Sequence, residues 1–97
     1  MQLYANHEED ERNNAAFLYV ISQFPQVKLF QPSPEKAPWH FQAVIDGDTQ
    51  QLINFWPHTL KGQRDGLRSV QGVEAISGII LGAIEDAKEK PFDLFED

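Results

Sequence analysis

Residues 39–45, WHFQAVI, set Trp39, Phe41, Ala43 and Ile45 in alternation with His40, Gln42 and Val44. A period of two is that of a β-strand, whose successive side chains leave on opposite faces, and here one of those faces is apolar. Asp46-Gly47 follows at once, a dipeptide suited to the positive φ of a tight hairpin turn. Residues 50–56 read as the returning strand. An antiparallel pair therefore occupies the middle of the chain, and its flanks must supply what covers the apolar face.

Both flanks carry helical spacing. Phe17, Val20, Ile21 and Phe24 recur at i, i+3, i+4 and i+7 and predict a helix over 7–23, with Asn6 as its cap, Glu9 three positions on, and Glu8, Glu9 and Asp10 favoured by the helix dipole. Pro25 ends it. After Val73, the residues Ile76, Ile80, Ala83, Ile84 and Ala87 share one side of a wheel opposite Glu74, Glu85 and Glu89, which predicts a second helix over 72–89 before Pro91. Gly78 and Gly82 fall among the acids of that polar side. Residues 27–31, VKLFQ, read as one more strand, and the three prolines of residues 32–38 force an extended connection.

The expected fold is α+β: a two-layer α-β-β-β-α arrangement, a three-stranded antiparallel sheet with both helices on one face. Residues 1–90 form a single domain, and residues 91–97 an acidic-aromatic tail. Whether residues 67–70 add a fourth strand is left open by their pattern. The same element order occurs in the double-stranded-RNA-binding domain, whose last helix opens with phosphate-gripping lysines. Here that place reads Gln71, Gly72, Val73, Glu74, Ala75 and Ile76, so the likeness is one of topology.

Charge and composition narrow the chemistry. The formal net charge of −7 is concentrated at the ends. Residues 1–13 hold four acids against one arginine, residues 84–97 six acids against two lysines, and the stretch between balances. An acidic chain repels a phosphate backbone, which disfavours general nucleic-acid binding and favours steering toward basic partners. With no cysteine there is no disulfide, no thiol nucleophile and no cysteine-based zinc site. The absence of a long apolar run and of a basic-then-apolar start leads to the expectation of a cytoplasmic protein. His7, His40 and His58 form no metal-binding spacing, and neither a glycine-rich phosphate loop nor a nucleophile elbow is present. The reading is of a non-enzymatic protein without cofactor or metal.

Two stretches remain as candidate binding surfaces. In NFWPHTLKGQRDG, residues 54–66, Pro57 stops the strand and Gly62 and Gly66 permit bends. The stretch reads either as a connection pinned by Trp56 and Leu60, or as a rigid loop presenting His58, Lys61, Arg64 and Arg68 to an anionic partner. Phe55-Trp56-Pro57-His58-Thr59, then Lys61-Gly62 and Gly72-Val73, resembles a pattern in small proteins encoded by bacteriophages and prophages; Leu60 stands where that pattern has a small residue. The resemblance implies a mobile-element origin and no catalytic residue. In the tail, Phe92, Asp93, Leu94 and Phe95 suit docking into another protein's groove, or onto this chain's own core. Asp93-Leu94-Phe95 is similar to the end of the peptide by which bacterial proteins bind the replication sliding clamp, with Phe92 in place of its leucine and Pro91 in place of its glutamine. The leading expectation is an interaction protein that binds a bacterial protein through its acidic ends; the alternative is a nucleic-acid-binding module using residues 58–68.

Overall fold

The alternation in the middle of the chain is realised with every second side chain buried: Phe41, Ala43 and Ile45 on one strand, Ile53 and Phe55 on the next. The computed structural model describes residues 3–88. Within them the order is α1 (Glu8–Ser22), β1 (Leu29–Phe30), β2 (Phe41–Ile45), β3 (Gln51–Trp56), a 3-10 turn (Pro57–Thr59), β4 (Lys61–Arg64), β5 (Val70–Gln71) and α2 (Val73–Lys88). The class is α+β, as expected, with two helices and one antiparallel sheet. The strand count is not as expected: the sheet has five strands, in the order β1-β2-β3-β4-β5.

Strand β4 comes from the stretch expected to be a connection or loop, and β5 takes up Val70, the last of the residues 67–70 whose pattern leaves their strand character open, together with Gln71. Trp56 pairs with Lys61 and Ile53 with Arg64, so β4 folds straight back on β3, and Val70 then pairs with Gly62. Leu60 makes the corner, with φ 55 in the left-handed region that side chains occupy at a cost. The place of Gly62 is set by packing. A Cβ there would lie 2.9 Å from Ile79 Cδ1, with Ile76 and Phe55 close behind, so the bare backbone lets α2 settle on β4.

Both helices cover the same face. Phe17 and Val20 of α1 and Ile76, Ile80, Ala83 and Ala87 of α2 join Phe41, Ala43, Ile45, Ile53 and Phe55 in one core. Phe17 meets Phe55 edge-on, ring centroids 5.1 Å apart. Burying a side chain of this kind contributes about 1.5–3 kcal/mol.

Four local expectations are corrected. Helix α1 begins at Glu8 with His7 as its uncapped boundary; the Asn6 backbone N–H donates instead to Asp10 Oδ2, at 2.9 Å, so the carboxylate reaches back to the chain entering the helix. The Asp46-Gly47 turn is no two-residue hairpin, since Ile45 pairs with Gln51 across a longer loop. That loop closes the end of α2, where carbonyls lack intrahelical partners: Thr49 donates its N–H to Ala87 O and its hydroxyl to Asp86 O. Trp39 precedes β2, is 38% exposed, and packs edge-on against Tyr4 rather than entering the core. Finally, β1 is shorter than residues 27–31, with Val27 buried ahead of it.

Candidate interaction surfaces

Strand parity separates the four cationic residues of residues 58–68. Arg64 shares the helix-side parity of Gly62 and lies against Gly82 of α2. Its Nη2 donates to Asp86 Oδ2 at 2.7 Å and to Gln51 Oε1 at 2.8 Å, so its charge is matched within the chain. Lys61 has the other parity and is exposed beside Trp56. Arg68 is exposed in the β4–β5 turn. His58 is wedged under the N-terminal segment: its ring meets Tyr4 edge-on at 5.1 Å, its carbonyl accepts from Asn13 Nδ2, and its buried Nδ1 has no partner among the described residues. Of the four, His58 and Lys61 come together, in a shallow cleft that they line with Trp56, Thr59, Gln63 and Ser69. Arg64 faces away from it.

Among the described residues, no element packs on the sheet face opposite the helices. Register places its residues in rows. His40 stacks on Trp56, centroids 5.1 Å apart and planes 15° from parallel, and Trp56 pairs with Lys61. The next row runs Phe30, Gln42, Asn54 and Gln63. Val44 and Leu52 form the third, and Asp65 continues it by donating its N–H to Leu52 O at 2.9 Å. In the middle row, Asn54 Oδ1 accepts from both His40 Nε2 and Gln42 Nε2. Asn54 Nδ2, Gln42 Oε1 and Gln63 Oε1 keep their hydrogen-bonding capacity unused among the described residues.

A third feature was not legible as a site. Glu11, Asn14, Ala15 and Leu18, spaced i, i+3, i+4 and i+7 on α1, form the floor of a groove of about 740 Å³. Leu3, Tyr4 and Ala5 make one wall and Gln31 and Pro38 the other, held together by a hydrogen bond from Gln31 Nε2 to Pro38 O. Asn14 is 8% exposed; its Nδ2 donates to Tyr4 O, and its buried Oδ1 has no partner among the described residues. The only signal in sequence was an asparagine one turn before Phe17, in line with the apolar stripe.

The groove sits beside the acidic first turn of α1, Glu8, Glu9, Asp10 and Glu11. The Asp10 carboxyl is held below its ordinary pKa, first by the backbone N–H of Asn6, with smaller help from the backbone of His7 and the charges of His58 and His7 against a desolvation that raises it. A carboxylate held by backbone donors stays ionised. The tail residues Phe92, Asp93, Leu94 and Phe95 lie outside the described residues. Among those described, no helix is long and apolar enough to cross a membrane. Comparison with protein-family models, with curated proteins and with solved structures finds no match.

Proposed function

We propose that this is a non-catalytic interaction protein that seats a basic, apolar segment of another protein in the groove on α1. The observation that carries the reading is the groove itself, a cleft whose Tyr4 wall Asn14 Nδ2 holds to the α1 floor. Leu3, Ala15, Leu18 and Pro38 offer apolar surface in it, and Glu11 lines the same groove with the acids of the first turn beside it. Lysine or arginine on the incoming segment is thus favoured over an acid. The likeness of FWPHT to phage-encoded proteins is the ground for taking the partner to be bacterial.

The convergence of Trp56, His58 and Lys61 supports a second reading, a nucleic-acid contact at their cleft, with Arg64 no longer among its cations. Panning a random peptide library against the intact chain tests the first reading. Selected peptides are expected to place lysine or arginine next to an apolar residue, and to lose binding to Glu11→Lys and to Asn14→Leu. Peptides with an acidic consensus, or equal capture by both variants, would refute it. Steeply salt-dependent binding of an oligonucleotide, lost in Lys61→Glu, would support the second.

A further inference from the structure

We infer that the open sheet face is a self-complementary interface on which a second copy of this chain packs, with a two-fold axis lying along the row Phe30–Gln42–Asn54–Gln63. A surface that meets its own copy places each residue near the axis against itself. Charged groups oppose themselves there, whereas an amide carries both donor and acceptor and pairs with its twin. The row on that axis holds three amides and a phenylalanine, with no charge, in a chain of net charge −7. Asn54 Oδ1 is already filled by His40 and Gln42, so across the axis Asn54 Nδ2 donates to Gln42 Oε1 or Gln63 Oε1 of the second copy, acceptors that none of the described residues uses.

The rows on either side exchange across this axis. Trp56 then stands over Leu52 of the second copy, His40 over its Val44, and Lys61 over its Asp65, because β4 carries Lys61 in one flanking row and Asp65 in the other. Aromatic meets aliphatic and cation meets anion, twice each by symmetry. The strands of the two sheets stay nearly aligned, as in ordinary sheet-on-sheet packing. The centre is free of charge, as the cores of protein interfaces are depleted of charged residues, and Trp56 flanks it on either side. The acids of α1 and α2 lie in the helix layers, away from the join.

Light scattering and sedimentation of the intact chain are expected to give the mass of two 11.1 kDa chains. Asn54→Asp keeps the acceptor that His40 and Gln42 use, so the fold persists, but it sets two carboxylates against each other at the axis and raises the dissociation constant by at least about 100-fold. Lys61→Asp and Asp65→Lys singly weaken the dimer, and together restore it; only exchange of the flanking rows produces that rescue. A chain that remains monomeric at about 1 mM overturns the inference. So does a dimer indifferent to Asn54→Asp, a double variant no better than the single ones, or an oligonucleotide that occupies Trp56 in place of the second copy. Peptide capture by the α1 groove does not depend on any of these results, so the two readings fail separately.

Discussion

The two faces of β2 and β3 are built from interleaved residues of the same few strands, yet they are made of different chemistry. The helix-side parity, Phe41, Ala43, Ile45, Ile53 and Phe55, is apolar and at most 2% exposed. The open parity carries the Trp56 indole, stacked on the His40 imidazole, and the amides of Gln42 and Asn54, with His40 and Gln42 both donating to Asn54 Oδ1. One parity is committed to burial within the chain, and the other keeps hydrogen-bonding capacity that the described residues do not consume. Adjacent residues in sequence can therefore differ more in their contribution to stability than residues from different elements.

Phe55 and Trp56 put that contrast to its strongest test. Phe55 is fully buried against Phe17, and Phe55→Ala is expected to destabilise the chain by about 3–5 kcal/mol, through lost transfer energy and the cavity left behind. Trp56→Ala removes a larger side chain from the open face and is expected to cost well under half as much. Denaturant unfolding of the two variants makes the comparison; equal losses would show that the open face is as much a core as the other.

Gly47 probes the edge where the helix layer meets the sheet. A Cβ there would fall 2.4 Å from Ala87 O, a backbone atom that cannot swing aside. Gly47→Ala is expected to cost about 2 kcal/mol by forcing the loop away from the end of α2, as overpacking does. Gly78 has nothing within 4 Å of its notional Cβ, and Gly78→Ala is expected to stabilise by up to about 1 kcal/mol through helix propensity. Opposite signs for one chemical change, read by thermal melting, would confirm that contact rather than residue type decides.

Within β4 the contrast narrows to two cations. Arg64 lies on the helix side with a 16% exposed side chain, but its partner Asp86 is 51% exposed, so solvent screens the pair. Arg64→Ala is expected to cost no more than about 1 kcal/mol. Lys61→Ala is expected to leave unfolding unchanged. Raising the salt concentration should shrink the difference between them.

The legible parts of the fold were those whose apolar residues repeat with a period. Helices α1 and α2 and strands β2 and β3 do so, and each was found within a few residues of its place. Strand β4, Lys61-Gly62-Gln63-Arg64, has no such signal, because of its two helix-side positions one is a glycine, whose lack of a side chain admits Ile76 and Ile79, and the other is an arginine. Strand β5 has two residues, too few for any period. The cationic cluster looked continuous because sequence spacing hides strand parity, and Asp86, which matches Arg64, is 22 positions away. The groove is not legible in sequence for another reason: its walls come from residues 3–5 and from Gln31 and Pro38, brought to α1 only by the fold.

The smallest expected effect lies at the N-terminal edge of α1, and it concerns pH. Asp10 Oδ2 accepts the Asn6 backbone N–H, an arrangement that favours the ionised carboxyl and lowers its pKa in the folded chain. Unfolded, the group titrates near about 3.9. Because the folded value is the lower of the two, its stabilisation is fully present above the unfolded pKa and fades as pH falls toward and through the folded one. Asp10→Asn keeps an oxygen acceptor but removes the titration. Protection of the Asn6 amide and of the first turn, taken relative to the intrinsic exchange rate at each pH, should therefore fall through the acid range in the native chain and change less in the variant. If the two profiles coincide, the hydrogen bond is held by geometry alone and the charge of Asp10 contributes nothing to it.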